Sequence, residues 1–169
     1  MERSYSDSTQ AAQRSALKTR LQNGKEQIFC DWRHRWVRLT PEEWVRQQLL
    51  HRMVGEYGYP ASLVAVEVAF RLPSLQGEDD GKLFRADAVV YGHFPCGDGR
   101  GGFSPLMLIE CKAETVPLTQ KTLDQAVTYN RKLHVPYLLL CNGIQTIFID
   151  GNNTNTSGLP RYTDLLRGE

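Results

Sequence analysis

Apolar positions recur along this chain with two periods, and the changes between them mark the elements. In "LTPEEWVRQQLLHRMVGEYGYP", Trp44, Val45, Gln48, Leu49, Met53 and Val54 form a helical stripe. Thr40 is a good N-cap and Pro41 suits the first helical position. Glu42 and Glu43 sit in the first turn, and Thr40 with Glu43 fits a capping box. Gly55, Gly58 and Pro60 end the helix.

The period then shortens to two. "SLVAVEVAFRL" alternates and is rich in valine, and "LFRADAVVY" and "PLMLIECKA" follow as further strands. "QGEDDGK" and the glycine-rich "GHFPCGDGRGG" connect them. The second is no phosphate loop, since no Gly-Lys-Ser/Thr follows. "LTQKTLDQAVTYNRKL" returns to helical spacing with Thr119 as N-cap. "PYLLLCN" and "TIFIDG" are strands joined by an Asn142-Gly143 turn.

Upstream, "EQIFCDWRHRWVRLT" reads as two short strands around a charged turn. Leu17 and Leu21 stand at helical spacing in a polar stretch, so residues 1–25 are expected to be a frayed helix or a disordered lead-in. One domain is expected over 26–152, and a polar tail with a short "YTDLLR" element over 153–169.

This order predicts an α/β fold with a mixed central sheet flanked by helices. The continuous apolar runs at 106–109 and 137–141 mark strands covered on both faces.

Composition changes the picture little. The 169 residues are 41% hydrophobic and 23% charged with net charge +1. Global basicity therefore does not announce nucleic acid, although a local patch is compatible with it. Cys30, Cys96, Cys111 and Cys141 form no CxxC pair, which argues against zinc and for buried thiols in a reducing cytoplasm. There is no charged-then-apolar leader and no apolar run near the roughly 18 residues of a membrane span, so neither secretion nor membrane insertion is expected. The Asn-x-Ser/Thr matches in "NNTNTS" are then chance features of a polar loop.

Two polar intrusions do change it. Strand alternation points Glu110 and Lys112 to one face and Cys111 to the other. A lone Glu-x-Lys at a strand end is usually a surface ion pair. Asp87, however, interrupts a second apolar strand, where a carboxylate is costly unless paired or bound to metal. On neighbouring strands, Asp87 and Glu110 can converge on one divalent cation. An oxygen-rich site of this kind suits Mg²⁺, and the Cys111 carbonyl could add a ligand. Lys112 would stand beside the water such a site activates for phosphate hydrolysis.

Gln125 and Tyr129 share a face of the next helix, where a core tyrosine beside a solvated glutamine is the plain alternative. Glu42 or Glu43 shares a side of the first helix with Arg46, although capping alone can explain both glutamates. Arg33, Arg35 and Arg38 cluster at the early hairpin with Arg46 beyond, interleaved with Trp32 and Trp36. The cluster reads either as phosphate contact or as a solvated charged turn.

Together, the helix glutamate, Asp87, Glu110-x-Lys112 and Gln125-xxx-Tyr129 resemble the PD-(D/E)XK nuclease superfamily. More narrowly, "LTPEEWVRQ", "RADAVVY", "MLIECKA", "LTQKTLDQAVTYN" and "VPYLLLCNG" look like the N-terminal nuclease domain of type I restriction enzyme R subunits. The resemblance runs from about Phe29 to Asp150. Ala86 stands where the superfamily name has proline.

The resemblance implies a restriction-endonuclease-like three-layer core and Mg²⁺-dependent cleavage of DNA, with Mn²⁺ as a substitute. It assigns metal ligation to Asp87 and Glu110, charge stabilisation or water orientation to Lys112, and support or DNA contact to Gln125 and Tyr129. A helix-one glutamate that helps hold the metal site falls on Glu42 or Glu43, and the spacing to Arg46 slightly favours Glu42. At this length the chain is expected to act without the helicase motor that accompanies the R subunit. It is expected to work alone, as a homodimer able to cut both strands, or with separate subunits. A non-catalytic nucleic-acid-binding or partner-recruiting module on the same fold is the alternative.

Overall fold

A computed structural model describes residues 17–71, 83–95, 101–151 and 155–167. The first sixteen residues, the "QGEDDGK" loop, Cys96 and the start of "NNTNTS" lie outside the described residues.

Two sheets carry the architecture. The smaller is an antiparallel meander of β1 (Thr19–Gln22), β2 (Lys25–Cys30) and β3 (Arg35–Arg38). The expectation of a helix or disorder before Lys25 is not met at its C-terminal end. Asn23 and Gly24 both take positive φ (52° and 70°) and turn β1 back onto β2, with Gln22 paired to Lys25. An Asn-Gly pair with two left-handed residues matches the twist of the flanking strands. That turn outweighs the helical spacing of two leucines, of which Leu21 is exposed.

The larger sheet is mixed, in the order β4 (Val64–Arg71), β5 (Leu83–Pro95), β6 (Gly101–Cys111), β7 (Tyr137–Cys141), β8 (Thr146–Ile149) and β9 (Asn155–Ser157). Only β6 and β7 are parallel, joined by a crossover through α2 (Gln120–Leu133). β5 and β6 reach into both ends of the glycine-rich connection, pairing Pro95 with Gly101. Gly143 (φ 86°) makes the β7–β8 turn, where an added Cβ would lie 3.1 Å from Glu114 Cγ.

Helix α1 (Pro41–Tyr57) starts as its sequence requires, with the Thr40 hydroxyl accepting from the Glu43 amide at 3.1 Å. Gly58, left-handed at φ 75°, caps its end. Val45, Leu49, Leu50 and Met53 pack on the sheet face made by Ala88, Val90, Met107, Ile109 and Cys111. The other face, with Val89, Leu108, Leu138 and Leu140, packs against Leu123 and Ala126 of α2. The result is three layers, with β6 and β7 buried on both sides as their apolar runs predict.

In the segment expected to be a polar tail with a short "YTDLLR" element, that element is helix α3 (Tyr162–Arg167), and β9 precedes it. Tyr162 and Leu165 are buried in the α1-side core.

The alternation of β4 and β5 slips at one level. Val64 and Val66 face the α1 side, but Val68 and Phe70 face the α2 side. Likewise Ala88 and Val90 face α1, and Phe84 and Ala86 face α2. The ladder passes from Val66–Ala88 to Val68–Ala86, and the residues between them are Glu67 and Asp87.

Candidate functional site

That slip, the start of α1, the β2–β3 turn and the end of β6 meet in one polar cluster. The register brings its parts together: Ala88 pairs with Ile109, so Asp87 and Glu110 occupy the next level of adjacent strands. Asp87 Oδ2 accepts the Cys111 amide at 2.7 Å, and Asp87 Oδ1 lies 3.2 Å from Arg46 Nη1. Lys112 Nζ donates to Glu110 Oε1 at 2.7 Å. The Lys112 amide bonds the Cys141 carbonyl at 2.9 Å, which locks this strand end to β7.

From α1, it is Glu43 that enters the cluster. Glu42 is exposed, one residue and about 100° around the helix. The i,i+4 spacing that favours Glu42 is therefore overruled: Arg46 pairs with Glu43 at i,i+3. Glu43 also receives Arg33 and, at 2.7 Å, the Gln47 amide. Arg33 reaches in from the turn, where its Nε also donates to Cys30 Sγ at 3.2 Å.

Glu67 completes the cluster, 3.1 Å from Arg33 Nη1 and 3.6 Å from Arg46 Nη2. The sequence reading missed it, because in "VAVEVAF" it passes for the solvent side of an alternating strand. Its positive φ (53°) is the signal that reveals it, and that signal exists only in the structure.

The acidities divide the cluster. Burial alone would raise Glu43, but the hydrogen bonds from Arg33, Gln47 and Arg46 outweigh it and hold the carboxyl below the ordinary glutamate range. Burial raises Asp87 despite the Cys111 amide and Arg46. Burial and then the nearby Asp87 charge raise Glu110, and Lys112 offsets this only in part. Burial would lower Lys112, yet the bond to Glu110 leaves it raised and fully ammonium. The Cys111 thiol, buried in the α1-side core, is pushed well up by burial.

Among the described residues no three of His, Cys, Asp and Glu gather as a metal site. A divalent cation would rest on Asp87 and Glu110, with carbonyl, water or substrate oxygens completing its shell. Two adjacent carboxylates, each raised and incompletely neutralised, fit that donor chemistry. Glu43 does not fit it, since its oxygens are taken by Arg33, Arg46 and Gln47.

Beside Glu110 and Lys112 a cavity of about 160 Å³ opens toward Thr122 and Ala126 of α2. Gln125 and Tyr129 belong to that same helix, and their side chains lie outside the described residues.

The arginines expected to contact nucleic acid separate into two pairs. Arg33, half-buried, and Arg46, buried, are committed to carboxylates, whereas Arg35 and Arg38 on β3 are exposed.

Comparison with known proteins agrees with this architecture. Residues 41–161 match the family model described as type I restriction enzyme R protein N terminus. The chain belongs to that family. Its fold is similar to a fragment of a chain assigned as the HsdR subunit of a type I restriction enzyme from Vibrio vulnificus YJ016. The two share 19% identity at a TM-score of 0.50, over 70% of this chain and 23% of that one. The match thus spans less than a quarter of that protein. No curated protein matches the chain. Among the described residues no helix is long and apolar enough to cross a membrane.

Proposed function

We propose that this chain is a Mg²⁺-dependent nuclease domain of the PD-(D/E)XK type, acting on DNA within a restriction system. The observation that carries the reading is that Asp87 and Glu110 occupy one level of the adjacent strands β5 and β6. Burial raises the pKa of both, and the Lys112 ammonium is bonded to Glu110.

Asp87 and Glu110 would hold the cation, which when bound supplies Lewis-acid charge and a water of lowered pKa. Asp87 is aimed by the Cys111 amide, so the two ligands share one rigid strand end. Lys112, held by Glu110, offers its ammonium to the charge that builds on the phosphate during attack. The exposed Arg35 and Arg38 suit backbone phosphates approaching along β3.

The test is cleavage of supercoiled plasmid and of single-stranded DNA with Mg²⁺ or Mn²⁺. Wild type is expected to cut, and Asp87→Ala and Lys112→Ala are expected not to. Cleavage that survives both substitutions would overturn the reading. Salt-dependent DNA binding without cleavage would move the assignment to a non-catalytic binding module.

A further inference from the structure

Glu67 is a carboxylate that the fold goes out of its way to place. Its left-handed backbone sits in the middle of a strand, a conformation that residues with a Cβ rarely adopt. The slip it makes with Asp87 turns its side chain onto two guanidiniums, the half-buried Arg33 and the buried Arg46.

Arg46 is shared between two sides. Its Nη2 faces Glu43 and Glu67, while its Nη1 faces the Oδ1 and, at 3.5 Å, the backbone carbonyl of Asp87. A guanidinium is planar and always charged, so it meets both sides at once. A divalent cation on Asp87 would bring a second positive group to the same carboxylate. The two cations then compete. A guanidinium that leaves Asp87 keeps Glu43 on Nη2, but its Nη1 loses its carboxylate and needs another acceptor, because a buried unmet donor is costly. Glu43 already serves Arg33 and Gln47. Glu67 also takes Arg33, at 3.1 Å, but at 28% exposure against 5% for Glu43 it has room to follow Arg46.

We propose that Arg46 and Glu67 form a counter-charge device for Asp87. Arg46 neutralises Asp87 until a divalent cation takes it, and Glu67 is the seat that keeps the displaced guanidinium paired. The proposal rests on the reading of Asp87 and Glu110 as cation ligands. Glu67 is a positioning residue and acts through Arg46.

The test is Mn²⁺ binding to the full chain by calorimetry, in wild type, Arg46→Met, Glu67→Gln and the double variant. Arg46→Met is expected to bind about tenfold tighter and Glu67→Gln about tenfold weaker, one pK unit of interaction each. In the Arg46→Met background, Glu67→Gln should change affinity by less than about threefold, because its effect passes through Arg46. An equal effect of Glu67→Gln in both backgrounds would make it a through-space charge and overturn the proposal. Unchanged or weaker binding by Arg46→Met would overturn it too. If circular dichroism shows that Arg46→Met does not fold, Arg46→Lys replaces it. Its ammonium cannot span Asp87 and Glu67 together, so the same signs are expected. If neither wild type nor the Arg46 variant binds Mn²⁺, the metal reading falls and the proposal with it. Binding without the coupling overturns the proposal alone.

Discussion

Glu43 is a buried carboxylate and Asp87 a half-buried one, both touch Arg46, and their acidities move apart. Glu43 sits on a helix start where three side chains donate to it. Asp87 sits in a strand where one amide and a shared arginine reach it. The difference separates a carboxylate that holds the fold together from one that the fold leaves in want of positive charge. The second kind is the useful one, because a cation can supply what the protein withholds.

Removing each in turn should expose the contrast. Glu43→Gln leaves the buried Arg46 and the half-buried Arg33 beside a neutral group, and about 3 kcal/mol of stability should be lost in urea unfolding. A loss near zero would end its structural role.

The same carboxylate should dominate the acid limb of stability. Its folded pKa lies below the ordinary 4.5, so its contribution is complete above that value. The contribution is lost as pH falls through the lower folded value. Unfolding free energy measured against pH should show this loss in wild type and a flatter limb in Glu43→Gln.

Asp87→Asn should behave differently. The amide oxygen can still accept from Cys111, and a carboxylate with a raised pKa contributes no stability at neutral pH. A change within about 1 kcal/mol is expected, together with loss of DNA cleavage.

The smallest effect on stability belongs to Lys112→Met. Lys112 and Glu110 are each about a third exposed, so their pair should contribute well under about 1 kcal/mol after screening by water. Cleavage should nonetheless disappear. A variant that loses stability but keeps cleavage would reverse the division.

How much of this was legible in the sequence follows from how local each signal is. Strands, helices and the alternation that sets Glu110 and Lys112 against Cys111 are short-range, and the structure has them. Asp87 was legible because a carboxylate in "ADAVVY" violates the strand's own pattern. Glu67 violates nothing in "VAVEVAF", since its anomaly is a backbone angle and a change of face. The choice between Glu42 and Glu43 depends on how α1 is rotated over the sheet, which packing decides. Arg33 and Arg46 read as a basic patch because their carboxylate partners come from α1, β4 and β5, elements far apart in sequence. Asn23-Gly24 was a readable hairpin signal, obscured by two leucines at helical spacing.

The central claim is that Asp87 and Glu110 are held ready for a divalent cation. A calorimetric titration with Mn²⁺ at neutral pH, wild type beside Asp87→Asn, tests it most directly. Wild type is expected to bind the ion, and removal of a direct ligand should weaken that binding by at least about a hundredfold. Equal binding by the two chains, or none by wild type, would contradict the account.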